Sequence, residues 1–216
     1  MQCVSDLSKL YLALHRRNLK IRNRWRDAGK LPYIESRELK AYLTVELDNL
    51  IVTGIRQYLK SSLLGARTTR GQRIKASVSP QGPGAAAALV LSVLNANKFA
   101  KMNNPSTIVG RDEPNSRSPL DARKVLLSFN ASNLASLQFA MGFNGNVWGE
   151  IGKVRHFFAH RSAHTEAEAR KLASDIGLVQ FVDCETLVSM RRPGSPIPIF
   201  EQWTLEVDRF FEAALA

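Results

Sequence analysis

Between Arg155 and Arg161 the chain runs Arg-His-Phe-Phe-Ala-His-Arg, which gathers two arginines, two histidines and two phenylalanines into seven positions. Arginine suits phosphate: its guanidinium is planar and permanently charged, and its fork of donors can stabilise charge that develops on phosphoryl oxygens. Histidine suits proton transfer because imidazole titrates near neutrality. Arg155 with His160 is therefore the minimum equipment for RNA cleavage without a metal, in which the ribose 2′-OH attacks the adjacent phosphate. DNA lacks that nucleophile, so the chemistry selects RNA. Nowhere else in the sequence are reactive side chains as concentrated.

The element that must position these residues reads as a helix beginning at Val147, with Asn146 as its cap. At about 100° per residue, Val147, Ile151, Val154 and Phe158 form a narrow apolar stripe for the core. His156 and His160 lie nearly opposite that stripe, about 40° from each other, and are expected to face solvent or a partner. Arg155 and His160 diverge by about 140° on an ideal helix. A two-fold homodimer would overcome this divergence, because two such helices meeting at the axis build one composite cleft from both chains.

The remaining elements are also helical by periodicity. Residues 5–28 read as an amphipathic helix, with Leu7, Leu10, Tyr11, Leu14 and Ile21 on one side and Ser5 or Asp6 as cap. Its second half carries Arg16, Arg17, Lys20, Arg22, Arg24 and Arg26, either a solvated face or a nucleic-acid surface. Trp25 in that half is either a packing anchor or a base-stacking ring. Ser36 to Leu64 forms the longest helix, with a stripe of Leu39, Leu43, Leu47, Leu50, Ile51 and Ile55 and with Glu46, Asp48 and Asn49 along its middle. Ala66 to Gly84 is a basic, mobile loop, and Ala85 to Met102 a helix buried on most sides. Asn103 to Pro119 is a second polar loop containing Pro105, Arg111 and Asp112. Another helix runs from Pro119 to about residue 141, before a break at Gly142 to Gly145. After the motif, Glu166 to Leu172 stays helical. Leu178 to Val182 is strand-like and on this reading pairs with Thr186 to Ser189 in a small β-hairpin. Phe200 to Leu215 is a last amphipathic helix. The expected fold is mainly α, an antiparallel helical bundle in a single domain spanning 1–216. Within it, 1–35 is a basic N-terminal helix, 36–175 the core bundle and 176–216 a C-terminal extension.

Composition narrows the class. The 216 residues carry 30 Lys and Arg against 19 Asp and Glu, a net charge of +11 that favours a polyanionic partner. RNA, DNA, an acidic protein and an anionic lipid surface all satisfy that charge. The longest apolar run, Ala85 to Val93, is far short of the roughly 20 residues a bilayer span requires, and the start does not read as a secretory signal. A cytoplasmic protein without membrane partners is expected. Cys3 and Cys184 are the only cysteines, which disfavours a disulfide framework or a cysteine-rich zinc site. No GxxxxGK[ST] pattern occurs, which excludes a phosphate-cradling loop of that type.

Arg155-His156-x-x-x-His160 resembles the R-x4-6-H signature of HEPN ribonucleases, the higher eukaryotes and prokaryotes nucleotide-binding domain. RHFFAHR looks most like their bacterial toxin and defence-associated branches. The resemblance implies a HEPN-type bundle, with Arg155 and His160 as the catalytic pair and His156 as an accessory polar residue. It also implies a homodimer with the site at its interface, no metal or other cofactor, a cyclic phosphate product, and an antitoxin or regulatory partner. One branch, paired with nucleotidyltransferase antitoxins, continues the signature as H-x-Y; Ser162 stands at that position here. Candidate RNA-binding residues are Arg161, Lys153, Arg16, Arg17 and Arg24, and candidate accessory residues are Glu46 and Asn49. Two other readings compete with the ribonuclease. His156, His160 and His164 recur at intervals of four and could ligate zinc, although no fourth ligand is apparent and the flanking arginines would repel a cation. A basic helical dimer could also bind RNA or assemble with partners without cutting.

Overall fold

The computed structural model describes residues 4–102, 108, 113, 116–143 and 146–216. Cys3, Asn144 and Gly145, and most of the expected second polar loop with Pro105, Arg111 and Asp112, lie outside the described residues. Ten helices occur among them: α1 (Leu7–Ala28), α2 (Tyr33–Leu63), α3 (Pro83–Leu94), α4 (Ala96–Ala100), α5 (Pro119–Ser128), α6 (Leu134–Phe143), α7 (Val147–His160), α8 (Ala163–Asp175), α9 (Cys184–Ser189) and α10 (Ile199–Ala214). The described residues contain no strand, only three isolated bridges. The mainly helical expectation therefore holds. The chain divides into two compact units, each made of segments remote in sequence: 1–14, 51–143 and 209–216 form one, and 15–50 with 144–208 form the other.

In the first unit, Leu7, Leu10 and Leu14 of α1 and Ile51, Ile55, Tyr58 and Leu59 of α2 are buried, as their helical spacing requires. Phe210 and Phe211 of α10 join this core. α2 is glycine at position 54 because Phe211 lies against its backbone: an added Cβ would sit 2.9 Å from Phe211 Cε1 and 3.1 Å from Leu14 Cδ2. The basic loop after α2 is pinned rather than running free. Leu7 N donates to Arg67 O, Arg67 N to Ser5 O and Thr69 N to Leu215 O, each at 2.8 Å, and Ile74 is buried.

Two expected helices are each split. Ala85 to Met102 breaks at Asn95, whose side chain accepts from Lys98 N at 2.9 Å and so starts α4 anew. Pro119 to residue 141 breaks after Ser128, where Asn130 adopts a φ of 48°, a region asparagine tolerates better than most residues. Just beyond, the buried Asn133 donates to Tyr58 Oη at 2.8 Å and Ser62 Oγ at 2.9 Å. These two bonds give the buried Nδ2 donor of Asn133 its partners.

In the second unit α7 packs on α8, and both pack on α9. The core combines Leu43, Leu47 and Leu50 with Ile151, Val154, Leu172, Leu187, Trp203 and Val207. Trp25 is 5% exposed, stacked on Phe200 at 3.9 Å between centroids, with Lys40 Nζ 5.5 Å from its ring. It is a packing anchor, since other groups already occupy its ring. The expected hairpin is absent: 184–189 is helical because Asp183 accepts from Thr186 N at 2.6 Å and caps α9. That cap outweighs the β-branched composition of the segment. Nor is the C-terminal segment peripheral, since Ile199, Phe200 and Trp203 are fully buried.

Gly54→Ala will lower stability by up to about 2 kcal/mol, because overpacking at about 1–3 kcal/mol outweighs the helix-propensity gain of about 1 kcal/mol. Chemical denaturation of the two proteins measures it, and an alanine variant as stable as the parent would contradict the close approach.

Candidate functional site

α7 is set in place from its N-terminus. Asn146 holds the cap position without a side-chain cap bond, contrary to the expected capping role. Its amide lies over Gly149, where an added Cβ would come within 2.8 Å of Asn146 Oδ1. Glu150, flanked by Val147, Ile151 and Val154, is buried on the apolar side of the helix. Its carboxylate accepts from Trp203 Nε1 at 2.8 Å and from the Arg192 guanidinium. A buried carboxylate is tolerated only with such compensation.

The stripe reaches the interior as expected at Val147, Ile151 and Val154, but Phe158 is only half-buried. Its ring meets Phe157 edge-on, with centroids 5.8 Å apart. At the C-terminus Arg161 adopts a left-handed φ of 37° and its N–H returns to Phe157 O, ending the helix. Ser162 then caps α8: it accepts from Thr165 N at 3.2 Å, and Thr165 Oγ1 accepts from Ser162 N at 3.0 Å. The serine at the signature's departure point therefore shapes the turn after the motif. That turn also moves His164 onto a different helix from His156 and His160, so the three imidazoles do not share one helical face.

His156 and His160 are brought together. Their rings meet edge-to-face at 4.8 Å between centroids, and both reach the surface. His156 Nδ1 is 3.6 Å from Glu168 Oε2 on α8. Arg161 extends to Glu185, with 3.8 Å between Nη2 and Oε1, and Glu185 also faces Arg37 at 3.5 Å. Arg155 takes another direction. Its Nε is 3.5 Å from Oδ2 of Asp48 on α2, a carboxylate side chain only 3% exposed, while the Arg155 side chain is 27% exposed. The signature arginine is thus anchored inward by an interior acid while the histidines stay outside.

The other sequence candidates are dispersed over the unit. Lys153 is half-buried on α7, and Arg16 and Arg24 are exposed on α1. Arg17 is engaged by Glu46 at 2.9 Å, and Asn49 donates to Glu46 at 3.4 Å. Glu46 and Asn49 thus belong to an α1–α2 contact, not to the motif. Asp48, expected with Glu46 and Asn49 on the surface of α2 or lining a site, is buried, while Glu150, Glu168, Glu185 and Arg192 carry no site role in the sequence reading. For Asp48 and Glu150 a signal existed: both sit among apolar helix positions that face a core, where an acid implies a buried partner. For the others the partners come from helices remote in sequence, and spacing carries no trace of them.

Burial and the nearby Glu185, Asp183 and Glu166 push the Cys184 thiol up to about 12, so it packs as an inert thiol and is not a nucleophile. Among the described residues no three His, Cys, Asp or Glu side chains are arranged to hold a metal ion, and no helix is long and apolar enough to cross a membrane. Comparison with protein-family models, curated proteins and solved structures returns no match. Any functional reading therefore rests on the geometry itself: two surface imidazoles in contact, a cation fixed beside them in sequence, and a further cation at the helix end.

Glu150→Ala will destabilise the protein by about 3–5 kcal/mol, since it leaves Arg192 without its buried counter-charge and Trp203 without its acceptor. Glu150→Gln will cost less because an amide oxygen can still accept from Trp203. Denaturant titration of both variants tests the ranking, and equal losses would contradict it.

Proposed function

We propose that the chain is a metal-independent endoribonuclease of HEPN type. The contact between the His156 and His160 rings at the surface end of α7 carries the reading. In this mechanism an imidazole, His160 in the leading role, removes the 2′-OH proton while that oxygen attacks the adjacent phosphorus. The P–O5′ bond breaks and the departing oxygen takes a proton, leaving a 2′,3′-cyclic phosphate and a 5′-OH. His156 is the nearest second imidazole for that proton transfer. Arg155 and Arg161 supply charge to the phosphoryl oxygens. Asp48 supports this role by limiting the conformations of Arg155, as a positioned catalytic group requires.

The outward-facing histidines favour a homodimer in which two α7 ends face one substrate. A toxin or defence effector restrained by an antitoxin or regulator fits the same chemistry. RNA is the favoured polyanion because the mechanism consumes a 2′-OH. One observation favours the non-cleaving alternative, an RNA-binding or assembly module: the Arg155–Asp48 pair also serves as a purely structural contact.

The two readings separate experimentally. His160→Ala alters an exposed side chain and will cut the rate of RNA cleavage by at least about 10²-fold, with an unchanged melting temperature. Arg155→Ala will lose activity too, but it also removes a counter-charge from Asp48 and will cost about 1–3 kcal/mol of stability. DNA of the same sequence will stay intact. Wild-type protein that leaves RNA uncut across substrates and buffers would rule out the nuclease, and a monomer at micromolar concentration would rule out the composite site.

A further inference from the structure

Within the second unit, α1 and α2 enclose a cleft of about 300 Å³. Arg17, Lys20, Ile21 and Arg24 face it from α1, and Tyr42, Leu43 and Glu46 from α2. The spacing explains the convergence: 17, 20, 21 and 24 recur at intervals of three and four, as do 42, 43 and 46, so each set lies along one side of its helix. Ile21 and Leu43 are buried and form the floor. Glu46 neutralises Arg17. Among the described residues Lys20 and Arg24 have no acidic side chain within ion-pair distance, and both are exposed. Tyr42 is 52% exposed, a large aromatic surface held in water beside two cations.

We infer that this cleft is a single-stranded RNA subsite, in which the Tyr42 ring stacks on an unpaired base while Lys20 and Arg24 hold the flanking phosphates. An exposed aromatic ring bordered by cations matches the two components of single-strand binding, a stacking platform and a charged track for the backbone. A duplex offers no free base face to Tyr42. An acidic peptide would engage the cations but gain nothing from the ring. The buried Ile21 and Leu43 give the cleft a fixed apolar floor, and the Arg17–Glu46 pair borders it. Tyr42 and Asp48 lie about 9 Å apart along the axis of α2 at about 1.5 Å per residue. Asp48 in turn holds Arg155. The cleft shares α2 with Asp48, the partner of Arg155, and on this inference it acts in substrate selection, not in bond breaking.

The choice of RNA as polyanion rests on the nuclease reading, so the test measures binding separately from cleavage. A fluorescein-labelled single strand of about 12 nucleotides, within the span such sites cover, is titrated into the 216-residue His160→Ala chain and into derivatives of it. Tyr42→Ala will weaken binding about tenfold, the scale of one lost base stack, while Tyr42→Phe will stay within about twofold of the parent. Lys20→Ala with Arg24→Ala will weaken binding and reduce the slope of log K against log salt by about 1.4, near 0.7 per phosphate contact on a single strand. Duplex RNA will respond to the lysine and arginine changes but not to Tyr42→Ala. Unaltered single-strand affinity in Tyr42→Ala overturns the inference, as does equal weakening by Phe and Ala. Polyglutamate binding with the same Tyr42 dependence would overturn it in favour of an acidic protein partner. If wild type cuts nothing yet the Tyr42 dependence persists, the nuclease reading falls and the subsite stands. If RNA is cut and Tyr42→Ala retains both affinity and KM, the subsite falls and the nuclease stands.

Discussion

A carboxylate withdrawn from water loses several kcal/mol of hydration unless a cation and hydrogen-bond donors replace it. The second unit buries two such carboxylates around α7. Glu150 lies inside among apolar residues and is answered by Arg192 and Trp203. Asp48 lies inside on α2, with Arg155 Nε 3.5 Å from its Oδ2. Each acid fixes the helix to a different neighbour, α10 and the segment before it in one case, α2 in the other. A slide or rotation of α7 would break both pairs at once. The orientation of the motif is thus set by electrostatic compensation as much as by its apolar stripe.

That constraint divides labour within seven residues. Arg155 is drawn inward, whereas His156 and His160 remain at the surface in mutual contact. Arg161, left-handed at the helix end, releases the chain into the Ser162–Thr165 cap. Because the helix stops there, the histidine run does not continue into α8, and a three-imidazole metal site on one face has no scaffold. The two imidazoles and the inward-turned guanidinium thus occupy different sides of one short helix end.

The basic excess of the chain is not one uniform surface. Arg17, Arg26, Arg37 and Arg192 are engaged by acids of the same unit. Their contribution is structural, and for the exposed pairs it is small. Cations without such partners are more selective markers. Where two of them border an exposed aromatic ring, as at Lys20, Arg24 and Tyr42, charge and shape together define a ligand more narrowly than net charge does.

Helical periodicity made most of the fold legible. α1, α2, α7 and α10 lie within a few residues of their sequence expectations, because amphipathic stripes of buried leucine, isoleucine and phenylalanine leave an unambiguous 3.6-residue period. The reading failed where a local hydrogen bond competed with the period. Asn95 and Asn130 interrupt segments that composition makes continuous, and Asp183 turns a strand-like segment into α9. The site was half legible. That His156 and His160 share an outer face follows from their spacing of four, so the sequence determined it. That Arg155 is anchored by Asp48, that Glu150 meets Arg192 and Trp203, and that Tyr42 borders a cationic cleft were decided only by tertiary structure. Each joins side chains from helices remote in sequence, and one-dimensional spacing records which face a residue occupies but not which helix will meet it.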